Sequence, residues 1–186
     1  MILVVAVFLV TLSVPLTGGD LRKLRHLRLR GIGFVFGAIG LQLVVTTVAS
    51  TMLPGALAEA LHLVSYALAV AFLVVNRRVT GWWILSLGGG LNLVAIAVNH
   101  GVMPATTAAL HRAGRDVVTD GFSNSNAVAH ARLAFLGDVF ALPKGVPLAN
   151  VFSVGDVLLV LGIGVVLHAA ARWSVWSKAG RALAGL

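Results

Sequence analysis

Five apolar runs limit what this chain can become: Ile2–Leu16, Gly31–Met52, roughly Ala58–Val75, Trp82–Val98 and Val151–Ala171. Their lengths cluster near the roughly 20 residues an α-helix needs to cross about 30 Å of hydrocarbon. No soluble domain or low-complexity linker separates them. The expectation is one membrane domain over residues 1–186, an all-α integral membrane protein built as a bundle of about five transmembrane helices. Composition agrees. Of the residues 59% are hydrophobic and 11% charged, and the mean hydropathy is +0.98, outside the range of a water-soluble domain.

Charge then gives an orientation. Fourteen Lys and Arg stand against six Asp and Glu, a net charge of +8. No aromatic-interleaved basic surface or nucleic-acid module accompanies them, so nucleic acid is not an expected partner. The first connection holds Arg22, Lys23, Arg25, Arg28 and Arg30, the third Arg77 and Arg78, the tail Arg172, Lys178 and Arg181. With five spans all three fall on one side, which the positive-inside rule makes cytoplasmic. The amino terminus is then outside and the carboxyl terminus inside a cytoplasmic membrane. Trp82, Trp83, Trp173 and Trp176 are expected as interfacial aromatics at the cytoplasmic boundary. Leu21, Leu24 and Leu27 recur at helical spacing. The first connection therefore reads either as an amphipathic helix on anionic lipid or, more simply, as a positive-inside anchor. Residues 2–16 lack a basic n-region and a small-residue cleavage site, and are expected to be a retained helix.

Residues 100–150 remain outside, too long for an ordinary connection in a compact protein. Within them Ala131–Leu142 is mostly apolar yet too short to span. The expectation is an outer re-entrant or interfacial segment before the last helix. Four of the six acids, Asp116, Asp120, Asp138 and Asp156, lie in or next to this region.

The candidate chemistry rests on Asp138 and Asp156. Asp156 falls about six residues into the fifth run, roughly 9 Å along a helix. A carboxylate there must be paired, hydrated or protonated. Pro143, Gly145 and Pro147 lie between the two acids and are expected to fold the chain back, bringing both carboxyls to one depth. Two adjacent carboxyls share a proton, so one can act as base on water while the other acts as acid. The plainer reading is that Asp156 caps or bonds a neighbouring helix and Asp138 starts a turn. Asn92, Asn99, His100, Asn150 and Ser153 are candidates to orient the acids or bind substrate. Asn99-His100-Gly101 also reads as a helix end, and Gly88-Gly89-Gly90 as a packing face. With no Cys, thiolate catalysis is excluded, and His100, His111 and His130 show no metal-ligand spacing. No metal or cofactor is expected.

Two resemblances meet at these residues. Gly88-Gly-Gly-Leu-Asn92, Asn99-His100-Gly101-x-Met-Pro104, Leu136-Gly-Asp138 and Phe152-Ser-x-Gly-Asp156 resemble an uncharacterised family of small bacterial multi-spanning membrane proteins, found in actinobacteria and Firmicutes. More distantly, Gly89-Gly90-Leu91-Asn92, Leu136-Gly137-Asp138-Val139 and Phe152-Ser153-Val154-Gly155-Asp156 are similar to elements of lipoprotein signal peptidase, an intramembrane aspartic peptidase. That likeness implies Asp138 and Asp156 as a catalytic pair and a membrane-anchored peptide or lipoprotein as substrate. The sequence departs from that family at Ala95 and Ile96, where the family has an Asp-Arg pair, and at Ser153, where the family has Asn. Three functions stay open: a membrane-embedded aspartic hydrolase; a scaffold or accessory subunit of a membrane complex; and a small transporter or lipid-binding protein, for which no internal repeat speaks. In each case the lipid bilayer is an expected partner.

Overall fold

A computed structural model describes residues 2–47, 54–115, 125–128 and 130–183; side chains beyond Ala171 are not described. The chain is mostly helical: α1 (Ile2–Leu16), α2 (Ile32–Thr47), α3 (Gly55–Val75), α4 (Trp82–Val98), α5 (Thr107–Ala113) and α6 (Val154–Leu183). By length and composition α3 and the Val154–Ala171 part of α6 are long and apolar enough to cross a membrane. Leu3–Leu16, Ile32–Val45 and Trp82–Val98 are shorter apolar helices. The expected run boundaries hold closely for α1 and α4. Met52, Asp116 and Asp120 lie outside the described residues, as do the side chains of Arg172, Trp173, Trp176, Lys178 and Arg181.

The long helices pack as a chain of neighbours, α1 on α6, α6 on α4, α4 on α3, α3 on α2. One apolar cluster, Leu73, Trp82, Leu85 and Val166, joins α3, α4 and α6. The closest seam is α4 against α6, where glycine removes the side chains that would hold the helices apart. A Cβ on Gly88 would stand 2.6 Å from the Gly155 carbonyl, and one on Gly155 would collide with the Asn92 side chain. Gly88 is a packing residue.

One end of this bundle is basic. Asp20 starts a short 3-10 helix, Leu21–His26, by accepting the Arg22 N–H at 2.9 Å. Lys23 Nζ donates to the Ala171 carbonyl at 3.0 Å, tying that connection to α6. Asn76, after α3, accepts the Arg30 N–H and donates to the Arg30 carbonyl, both at 2.8 Å. Arg30, Arg77 and Arg78 thus share one end. The helical spacing of Leu21, Leu24 and Leu27 does not extend into an amphipathic helix. The 3-10 turn stops at His26, and Leu27 and Leu29 run on to pack against the Trp82 cluster. Trp82 is likewise no interfacial aromatic. It is 3% exposed, and its Nε1 donates to the Leu73 carbonyl at 2.7 Å, whereas Trp83 is 68% exposed.

The opposite end carries a small mixed cap, so the chain is not all-α. β1 (Met103–Pro104) pairs in parallel with β2 (Ser125–Asn126). α5 begins at Thr106, whose Oγ1 accepts the Ala109 N–H, and ends at Gly114 in the left-handed region. β3 (Phe140–Leu142) and β4 (Asn150–Phe152) form an antiparallel hairpin, with Phe140 opposite Phe152 and Leu142 opposite Asn150. Ala105, Ala109, Leu110, Ala113 and Val151 make a core of their own. Ala131–Leu142, expected as a re-entrant or interfacial element, forms no long helix. It is a 3-10 turn at Ala134–Leu136 followed by a strand, entered through Leu133 at φ 51 and pressed by Gly137 onto the Pro104 carbonyl. The Pro143–Pro147 loop does fold the chain back. Val151 belongs to that hairpin, so α6 starts three residues later than its apolar run.

Candidate functional site

Where β4 turns into α6, Ser153 and Asp156 form a capping box. The Asp156 N–H donates to Ser153 Oγ and the Ser153 N–H donates to Asp156 Oδ2, each at 3.0 Å. Asp156 sits in the first turn of α6, at the helix mouth rather than 9 Å along it. The α4–α6 seam brings Asn92 onto the same group. Its Nδ2 donates to Asp156 Oδ1 at 2.8 Å, and Ser153 Oγ donates to Asn92 Oδ1 at 2.9 Å. Asn92 is 3% exposed and Ser153 fully buried. Each Asp156 oxygen accepts one bond here and keeps capacity for another, since a carboxylate offers about four lone-pair sites.

Asp138 approaches from the cap. Its N–H donates to the Pro104 carbonyl at 2.8 Å, its own carbonyl accepts the Thr106 N–H at 3.2 Å, and it is 5% exposed. A parallel bridge pairs Asp138 with Ala105, and β3 after it lies beside β4, which leads into the capping box. Tyr66, on α3, completes the picture. It packs among Ala95, Ile96, Met103 and Leu136, stacks on His62 at a centroid distance of 5.1 Å, and lies in the electrostatic field of both Asp156 and Asp138. The start of α6 and the middle of α4 thus share one hydrogen-bonded group, Asn92, Ser153 and Asp156.

A cavity of about 490 Å³ leads away from it. Tyr66, Asn92 and Asp156 stand along an otherwise almost wholly apolar lining drawn from all five long helices, including Leu3 of α1, Ile39 of α2 and Leu159 of α6. Its volume is within the range of small-molecule sites, about 300–1,000 Å³.

The other expected site residues lie elsewhere. Asn99 donates to the Ala95 and Arg132 carbonyls at 2.7 and 2.8 Å and accepts the Arg132 N–H at 2.9 Å. Its amide is fully engaged in docking the cap onto α4. His100 is exposed and left-handed at φ 55, part of the helix end. Asn150 Oδ1 accepts from Arg115 at 2.7 Å, linking the α5 end to the hairpin. Tyr66 was missed by sequence reasoning. As the one Tyr in the chain, midway along an apolar run, it was available as a signal. Among the described residues no three His, Asp or Glu side chains gather as a metal set.

Fold and site together define a mostly helical chain with a capped bundle, an apolar cavity and a polar cluster at the cap. The chain belongs to a family of unknown function, DUF5317, which matches residues 26–168 and so takes in Tyr66, Asn92, Asp138, Ser153 and Asp156. No curated protein and no solved structure matches it.

Proposed function

We propose that this is a five-helix protein of a bacterial cytoplasmic membrane, cap outside and basic end inside, whose Asp138 and Asp156 act as a peptidase-like acid pair on a membrane-anchored peptide. The observation that carries it is the hydrogen-bonded group of buried Asn92 and Ser153 with Asp156, beside an apolar cavity that Asn92 and Asp156 line, with Asp138 buried in the cap. The clustering of Arg30, Arg77 and Arg78 at the end away from the acids supports the orientation. In the reaction, the ionised carboxyl takes a proton from water as the water oxygen attacks the scissile carbonyl carbon, and the protonated one gives its proton to the carbonyl oxygen. The proton taken from water passes to the amine as the C–N bond breaks. Asn92 holds Asp156 in place, and the apolar walls receive the anchor of the substrate. The likeness of the Asp138 and Asp156 motifs to those of lipoprotein signal peptidase points the same way.

A second reading has its own observation. Both Asp156 oxygens already accept bonds that fix α6, which suits a scaffold or accessory subunit of a membrane complex. The cavity is apolar, which speaks against a path for polar solutes.

The test is cleavage of a panel of lipid-anchored peptides by the purified protein in neutral-lipid nanodiscs. Under the hydrolase reading, Asp138→Asn and Asp156→Asn each cut turnover by roughly a thousandfold or more while the protein stays folded. Turnover unchanged in either folded variant, or no cleavage by the parent protein alongside full complementation by the double variant in cells, would falsify the hydrolase reading and leave the scaffold.

A further inference from the structure

The basic end holds a second cavity, of about 570 Å³, that the aspartate cluster does not touch. Arg30, Arg77 and Arg78 line it together with Phe34, Val74 and Val75. Two connections far apart in sequence, one before α2 and one after α3, bring these arginines around one hollow with apolar flanks. The Arg30 backbone is held by Asn76, whose amide bonds the Arg30 N–H and carbonyl and also the Phe72 carbonyl at 2.8 Å, and the Arg77 N–H donates to the Val74 carbonyl at 3.3 Å. Among the described residues the turn is thus built by an amide and the main chain.

All three arginines are exposed. The acids with described positions are committed elsewhere. Asp20 caps Arg22, Glu59 lies against Gly101 near the cap, and Asp138 and Asp156 belong to the site above. Three like charges at one hollow repel one another unless an anion joins them. Planar guanidinium forks match phosphate oxygens in pairs, and apolar walls beside them suit a phosphate that emerges from an apolar layer. We infer that Arg30, Arg77 and Arg78 form a binding site for a phosphate group, carried by an anionic lipid or free in solution. The inference is independent of any activity of the aspartates.

The test is native mass spectrometry of the full chain in zwitterionic detergent, titrated with phosphatidylglycerol against phosphatidylcholine. The parent protein prefers phosphatidylglycerol. The triple variant Arg30→Gln, Arg77→Gln, Arg78→Gln loses more than about tenfold in that affinity. A control triple, Arg22→Gln, Arg25→Gln, Arg28→Gln, removes the same charge from the same end and keeps the preference. Equal losses in both triples mean diffuse charge and overturn the site, as does no loss in either. Excess inorganic phosphate decides the source. Displacement of the lipid assigns the site to phosphate from any carrier, and no displacement assigns it to the lipid, whose chain the apolar flank holds. Because the Asn76 bonds go to backbone, the variants keep the turn, and an unchanged unfolding midpoint confirms it.

Discussion

The two ends of the bundle treat their polar groups in opposite ways. At the cap, Asn92, Asn99, Ser153 and Asp156 bond to one another or to main chain, and three of the four are nearly or fully buried. At the basic end a single amide, Asn76, fixes the turn, and the arginines stay exposed. Internal bonding sets geometry; exposed charge awaits something outside the chain. The cap is therefore where substitution should cost stability, and the basic end where it should cost binding.

The sharpest way to break that contrast is Gly155→Val. The added side chain meets Asn92 across the α4–α6 seam, and the loss should be about 3 kcal/mol or more by denaturant unfolding in micelles. A loss below about 0.5 kcal/mol would mean that the seam yields easily. Asn92→Leu comes next. It leaves the Ser153 hydroxyl and one Asp156 oxygen short of a partner, at a cost of about 2 kcal/mol in the same assay. Asn99→Ala should cost about 1–2 kcal/mol and, more tellingly, speed amide exchange at Arg132, whose N–H it accepts. Arg78→Gln should change stability by less than about 0.5 kcal/mol; a larger loss would show the arginines to be structural.

How much of this was legible depends on the kind of signal. Uninterrupted apolar runs placed α1 and α4 to the residue, because Thr17-Gly18-Gly19 and Asn99-His100-Gly101 stop them sharply. Two- and three-residue strands such as Met103–Pro104 and Phe140–Leu142 are too short to show a period of two, so the cap read as an apolar dip. Trp82 looked interfacial by position, yet burial is decided by which way the helix turns, and its neighbour Trp83 took the exposed face. At the site, Asn92, Ser153 and Asp156 were found because polar residues are conspicuous in apolar surroundings. Asn99 was conspicuous for the same reason, and composition could not say that main chain would claim its whole amide. Tyr66 stayed hidden because a phenol passes for apolar until its neighbours are known.

The Asn92 interlock also says something about how the protein is made. Asn92 precedes Ser153 by 61 residues and Asp156 by 64, so its partners do not yet exist when α4 leaves the ribosome. At about 5–20 residues per second, α4 waits roughly 3–12 s with an unsatisfied amide before α6 begins to emerge. Among the described residues, both side chains that the Asn92 amide bonds come from the start of α6. The polar cluster is therefore no local product of α4, and it forms only as α4 and α6 close their seam.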